Sequence, residues 1–140
     1  MSNINLGRVL LGGLVAGAVL NIGEFLLNGV LLANQMNEVF RKCGLTPPSG
    51  RALFLLVAFT FLMGIFLVGV YAALRPGCGP GPKTALGAGL IGWFCVYFYN
   101  TAAGVALGFV PINMFFIALA WGLAEYILAA IAGAWLYKEA

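Results

Sequence analysis

The sequence predicts an all-α membrane protein: four transmembrane helices in a compact bundle, with a short amphipathic helix at the membrane interface between the first two. Of the 140 residues, 63% are hydrophobic and only 8% are charged, whereas soluble domains carry about 25% charged residues. Four apolar runs are each long enough to cross a ~30 Å hydrocarbon core as a helix. None of them alternates polar and apolar residues as a strand of a membrane barrel would.

The four runs cover almost the whole chain and predict a single transmembrane domain over residues 1–140. The expected spans are residues 6–34, 52–74, 84–110 and 113–137. Because the connections between them are short, no segment is long enough to form a second domain.

The first connection has the pattern of a helix that lies in the membrane interface. In QMNEVFRKC, residues 35–43, the apolar side chains recur at the spacing of one helical face and the charged ones occupy the other. Gly44 and the following TPPSG are typical of a helix end. We expect this helix to hold the connection at the membrane surface or to extend the first span. The alternative is that a partner protein docks on it.

The other two connections predict reversals of the chain. RPGCGPGPK, residues 75–83, alternates Pro and Gly, which disfavours a helix. Residues 111–113 must turn the chain between the third and fourth spans.

The basic residues at the span ends indicate the orientation in the membrane. With four spans, four basic residues lie on the same side of the membrane as both termini and three lie on the opposite side. This small excess favours cytoplasmic termini in an inner or plasma membrane.

Polar residues within three of the spans fall in narrow stripes at helical spacing. Each stripe is flanked by small residues, which permit close approach of helices. The second span offers only Thr60. We therefore predict that the three stripes converge on one binding site for a substrate or ion, formed by Glu24, Glu125, Asn21, Asn28, Asn100 and Tyr97.

Two carboxyl groups in an apolar interior need neutralisation. A charged carboxylate at the bilayer centre costs about 2.5–3.5 kcal/mol on insertion scales, and two on neighbouring helices would repel each other. The spans contain no basic residue at that depth and the chain has no histidine. A proton, a bound cation or another chain must then balance Glu24 and Glu125. Burial favours the neutral acid, so we expect at least one of the two to be protonated.

These residues favour two functions and leave a structural alternative open. The first function is a transporter- or channel-like protein that binds a proton, a small cation or a cationic substrate, as a homo-oligomer in the lipid bilayer. The second is a non-catalytic accessory subunit of a larger respiratory or photosynthetic membrane complex. The structural alternative is that the polar groups only form hydrogen bonds between membrane helices. Each such bond is worth about 0.6 kcal/mol on average.

Several other chemistries lack the residues they require. Without histidine, no His-ligated haem or metal site and no His-based dyad can form. The basic residues form no nucleic-acid-binding patch, and the three cysteines form no C-x-x-C motif. We predict no cofactor, no metal ion and no enzymatic activity. A membrane enzyme acting on a lipid or quinone would have only the two glutamates as catalytic bases.

Overall fold

The computed structural model describes residues 4–138, which are mostly helical and contain no strand. The helices are α1 (Leu6–Leu26), α2 (Ala33–Lys42), α3 (Gly50–Cys78), α4 (Pro82–Trp93), α5 (Tyr99–Ala106) and α6 (Ile112–Leu136). Two π-helical turns interrupt the long segments: the first, Leu27–Leu31, follows α1, and the second, Phe94–Phe98, joins α4 to α5. The prediction of an all-helical chain is confirmed.

Within the described residues, three helices are long and apolar enough to cross a membrane: α1 with its π turn (Leu6–Leu31), α3 and α6. The third expected span is helical over residues 82–106, but it is less apolar than the other three and is not among the candidate spans. Length and composition therefore support three of the four predicted spans.

Long segments that follow one another along the chain run in opposite directions. The backbone N–H of Asn5, which precedes α1, donates to the hydroxyl of Tyr137 after α6, at 3.4 Å. The Tyr137 ring meets the edge of Tyr71 near the end of α3, with centroids 5.9 Å apart. The Tyr71 hydroxyl accepts from the backbone N–H of Gly81, just before α4, at 3.2 Å. The beginnings of α1 and α4 thus meet the ends of α3 and α6 at what we name the Tyr137 end.

Glycines let three helices pack closely next to the Tyr137 end. A side chain at Gly64 of α3 would collide with the backbone of Gly13 and Gly17 in α1, and a side chain at Gly12 would collide with Gly133 of α6. Val68 of α3 is fully buried at this level. Glycine at these crossings lets the backbones approach closely enough for helices to associate without large side chains.

Helix α3 continues past the break expected from RPGCGPGPK. It includes Pro76 and ends at Cys78. Its last turn is retained because the N–H of Gly79 donates to the carbonyl of Arg75 at 2.8 Å. The chain leaves the helix at Gly79, whose φ of +77° favours glycine. The expectation that residues 75–83 are non-helical is wrong for residues 75–78 and for residues 82–83, so only residues 79–81 separate α3 from α4.

The connection before α6 starts earlier than expected. Helix α5 ends at Ala106, four residues before the predicted limit of the third span. The carbonyl of Gly104 accepts from the N–H groups of Phe109 and Val110, at 3.2 and 3.1 Å, and Gly108 adopts a φ of +83°. Residues 107–111 therefore form a capped turn.

The predicted short helix in the first connection is present as α2, and none of its residues is buried.

Candidate functional site

Glu24, Tyr97 and Glu125 meet in the interior, each from a different segment of the bundle. The Tyr97 hydroxyl, in the second π turn, lies 2.7 Å from Oε1 of Glu24 in α1. The same hydroxyl lies 3.3 Å from Oε2 of Glu125 in α6. We name these three residues with Asn28 the carboxylate cluster.

Asn28 completes the surroundings of Glu24. Its side-chain Nδ2 donates to Oε2 of Glu24 at 2.7 Å, from one helical turn further along. Each oxygen of Glu24 therefore faces one neutral donor, the Tyr97 hydroxyl or the Asn28 amide. Glu24 and Asn28 are both partly exposed, so this carboxyl group remains accessible from outside the bundle.

Glu125 is sealed from the surroundings. Its side chain is only 5% exposed, and its Oε1 has no hydrogen-bond partner within residues 4–138. Gly23 makes space for the carboxyl group, because a Cβ there would lie 2.5 Å from Cδ of Glu125. The Trp121 Nε1–H donates to the carbonyl of Gly23 at 3.2 Å, so α1 and α6 are joined by a hydrogen bond at this level.

Packing fixes the direction of the Tyr97 ring. Gly122 of α6 lies against the ring so closely that any side chain there would collide with it. The ring also meets Tyr126 edge-on, with centroids 5.7 Å apart, a favourable geometry for aromatic pairs. Because the ring is held on these two sides, its hydroxyl is directed between the two carboxyl groups.

Both π turns adjoin the carboxylate cluster. The first begins three residues after Glu24 and includes Asn28, and the second includes Tyr97. In the second turn the N–H of Tyr99 bonds to the carbonyl of Phe94, five residues back. π turns are rare and frequently occur at functional sites.

A cleft of about 310 Å³ leads to Glu24, near the lower end of the ~300–1,000 Å³ typical of small-molecule sites. Its polar lining comprises Glu24, Asn28, Tyr97, Asn100 and Thr101. Its apolar lining includes Leu27, Leu32, Met36, Val110, Met114 and Ala118. The walls come from both π turns, α2, α5, α6 and the turn before α6. Helix α3 contributes no residue to the lining.

The structure brings together four of the six predicted site residues in one hydrogen-bonded group: Glu24, Asn28, Tyr97 and Glu125. Asn21 lies outside it, donating to the carbonyls of Gly17 at 2.9 Å and Val57 of α3 at 3.5 Å. Asn100 lines the cleft, but its amide donates to the carbonyl of Val96 at 2.8 Å.

The positioning residues Gly23, Gly122 and Trp121 were not predicted as part of the site. Gly23 and Gly122 provide the space for the Glu125 carboxyl and the Tyr97 ring, and Trp121 links α6 to α1. The sequence carries a signal for them, because Gly23 adjoins Glu24 and Gly122 lies one turn before Glu125. Glycine at the depth of a buried carboxyl group indicates a close helix crossing.

The chain matches no protein-family model, and neither a curated protein nor a solved structure is similar to it. No group of three or more His, Cys, Asp or Glu residues within residues 4–138 is arranged to hold a metal ion. The geometry of the carboxylate cluster and its cleft is therefore the basis for the function proposed below.

Proposed function

We propose that this protein is a small integral membrane carrier in which Glu24 binds in turn a proton and a positively charged ligand. One observation carries the proposal: a single Tyr97 hydroxyl lies within hydrogen-bond distance of two carboxyl groups. A phenol has one hydrogen to donate. Both contacts can be hydrogen bonds only if one carboxyl group is protonated and donates to the phenol oxygen.

Burial supports placing that proton on Glu125. A charged carboxylate at Glu125 would leave a buried oxygen without a partner, which carries a large desolvation cost. Glu24 is accessible from the cleft and accepts from two donors, an environment suited to a carboxylate. In this arrangement Glu125 donates to Tyr97 and Tyr97 donates to Glu24.

Exchange at Glu24 follows from charge balance. With Glu125 neutral, the carboxylate cluster has one negative charge, and no Lys or Arg within residues 4–138 lines the cleft. Either a proton or a monovalent cation at Glu24 makes the site neutral, and the two compete for the same carboxylate. In the low dielectric of a membrane interior this competition is strong, because an unbalanced charge is costly there.

The proposal is tested by measuring proton release when a cation binds. Purified protein in weakly buffered detergent solution receives a panel of sodium, potassium, methylammonium and hexylammonium chlorides, and the pH is recorded. At a starting pH low enough for Glu24 to hold a proton before the cation is added, at least one cation should release about one proton per site from the wild type and none from Glu24→Gln. Asn21→Leu is the matched control, because Asn21 lies outside the carboxylate cluster.

Transport is tested separately in sealed vesicles. An imposed pH gradient should drive accumulation of the active cation in vesicles that contain the wild type, and vesicles with Glu24→Gln should match protein-free vesicles. If no cation in the panel releases protons, or if the release persists in Glu24→Gln, the exchange proposal is wrong.

A second candidate, the accessory subunit of a larger membrane complex, is favoured by the first half of α3. Residues 53–57 are consecutively exposed, and this half packs mainly on α1, through Val57 and Phe61. A half-helix that packs mainly on one neighbour leaves an apolar surface for other subunits as well as for lipid. Sizing after extraction from native membranes in mild detergent separates the candidates. Other subunits at fixed stoichiometry would support the accessory role, and a pure homo-oligomer or monomer would contradict it.

A further inference from the structure

We infer that the ligand of the cleft is a primary alkylammonium ion, that is, a protonated primary amine with a short apolar chain. The inference rests on the proposed function, since it places the ammonium group at Glu24. The inference specifies the chemical class of the ligand. Besides a positive charge, the ligand has N–H donors and an apolar chain.

The orientation of the two amides shows which atoms remain for a ligand. The side-chain NH₂ of Asn28 donates to Glu24, and a carboxylate oxygen can only accept. The NH₂ of Asn100 donates to the carbonyl of Val96, which can also only accept. Chemistry thus settles both amide orientations, which coordinates alone would leave open. The Oδ1 atoms of Asn28 and Asn100 remain as acceptors.

The polar lining of the cleft therefore consists mainly of acceptors. Around Glu24 it offers a carboxylate, two amide oxygens and the Thr101 hydroxyl. The Tyr97 hydroxyl and one N–H of the Asn28 amide are donors near them, and both are directed at Glu24. A primary ammonium group has three donors and no acceptor, so it complements this lining. An anion would be repelled by the Glu24 carboxylate and would find no Lys or Arg among the described residues that line the cleft.

The remaining walls exclude a small inorganic cation as the preferred ligand. Hard cations such as Mg²⁺ and Ca²⁺ take about six or more oxygen ligands, and among the described residues Glu24 is the only carboxylate that lines the cleft. Most other lining side chains are aliphatic, including the adaptable thioethers of Met36 and Met114. These side chains would contact the alkyl chain of an amine and could not replace the hydration shell of an inorganic ion.

Three probes with the same six-carbon chain test this inference. Hexylammonium has the charge and three N–H donors, hexyltrimethylammonium has the charge alone, and hexanol has neither the charge nor the three donors. Thermal unfolding of the purified protein in detergent is followed at matched ionic strength, with potassium chloride as reference. Because a ligand that binds the folded state raises the unfolding midpoint, hexylammonium should raise it in a saturable, concentration-dependent manner. The other probes should raise it far less.

Two variants separate site binding from partition into the micelle. Glu24→Gln should lose the shift with hexylammonium, whereas Asn21→Leu should retain it. Within the series from propyl- to hexylammonium, each added methylene should tighten binding about two- to fourfold while the walls bury it. An equal shift with hexyltrimethylammonium or hexanol would overturn the inference, and so would a shift that survives in Glu24→Gln.

The two proposals fail in different ways. Proton release with potassium or sodium, in the absence of a hexylammonium shift, would retain exchange at Glu24 and overturn the ligand class. A Glu24-dependent shift with hexylammonium that releases no proton would support the ligand class and overturn the exchange.

Discussion

One phenolic hydrogen between two carboxyl groups accounts for the presence of Glu24 and Glu125 in the same apolar interior. Tyr97 links them only when a further proton is present, because its hydroxyl cannot donate twice. The cost of burying two acids is thereby reduced to the cost of one negative charge, which the cleft leaves accessible to a cation.

Replacing Tyr97 by Phe tests this link. The ring should keep its contacts with Gly122 and Tyr126, but Glu24 loses a donor and Glu125 loses its partner. We expect a decrease of about 1–3 kcal/mol in the free energy of unfolding, the typical cost of leaving buried polar groups unpaired. Denaturation of detergent-solubilised protein, followed by circular dichroism, measures it. Tyr99→Phe is the control, because Tyr99 is 68% exposed. Similar losses in the two variants would contradict the bridging role.

The protonation state of Glu125 has its own test. In Glu125→Gln the amide can donate to the Tyr97 oxygen as a protonated acid would, whereas Glu125→Leu cannot. We expect the glutamine variant to keep most of the cation-linked proton release and the leucine variant to lose most of it. Titration in weak buffer with the most active cation measures both. Loss in the glutamine variant as severe as in the leucine variant would indicate that a charged Glu125 is required.

The sequence predicted the four residues that the structure brings together, but it could not separate their contacts from those of Asn21 and Asn100. Glu24, Asn28, Tyr97 and Glu125 stand out because polar side chains are costly in apolar runs. Asn21 follows the same spacing, yet its amide bonds to backbone carbonyls of α1 and α3. Whether an asparagine faces a carboxyl group or a carbonyl depends on the register of two helices, which periodicity within one helix does not contain.

Among the elements, α1 and α6 depend on glycine where they cross at the carboxylate cluster. Gly23→Ala would place a Cβ 2.5 Å from Cδ of Glu125. We expect a loss of about 1–3 kcal/mol in the free energy of unfolding, as for other overpacked positions, together with weaker proton release. Unfolding in detergent with added SDS measures the stability.

Gly69→Ala in α3 is the matched control for that crossing. A Cβ at Gly69 would have no atom within 4 Å, and alanine is the better helix former by about 1 kcal/mol in a helix interior. We expect unchanged or slightly increased stability and unchanged proton release. A Gly23→Ala variant that behaves like this control would show that the close crossing is not needed to position Glu125.

The π turns show why element boundaries could be predicted only in part. Helices and their amphipathic faces follow from composition and spacing, and α2 was predicted on that basis. A π turn exchanges local hydrogen bonds for tertiary contacts, and Asn100 supports the second one by donating to the carbonyl of Val96. Whether a π turn forms at this position depends on neighbouring helices such as α6. The turn changes the direction in which every later side chain points around the helix axis, so the stripe predicted for the third span does not extend unchanged through α5.

For the whole molecule, the two halves of the bundle differ in packing. Toward the Tyr137 end, glycines bring α1, α3 and α6 into close contact. In the other half, α3 does not line the cleft, and the cleft extends to α2 and the turn before α6. A ligand would therefore reach Glu24 from the half that contains α2. Composition predicted a helical bundle but could not indicate which helix would leave the site open.

The crossing of residues 82–106 can be tested through the sidedness of cysteines. Cys43, Cys78 and Cys95 are free and exposed, so replacing two of them by alanine leaves a single labelling site. Phe109, 48% exposed in the turn before α6, provides a further position as Phe109→Cys in a chain without the three native cysteines. Sealed vesicles of known orientation are treated with a maleimide that cannot cross the membrane.

Four crossings place Cys43 and Phe109→Cys on one side and Cys78 on the other, because α3 and then residues 82–106 separate these positions. Three crossings, with residues 82–106 remaining on one side, place Phe109→Cys on the side of Cys78. The antiparallel contacts at the Tyr137 end favour the first result, since Tyr71 and Tyr137 meet there and Asn5 bonds to Tyr137. Labelling of Phe109→Cys from the side of Cys78 would move Tyr97 out of the membrane interior. The two glutamates would then lose the apolar surroundings on which proton and cation competition depends.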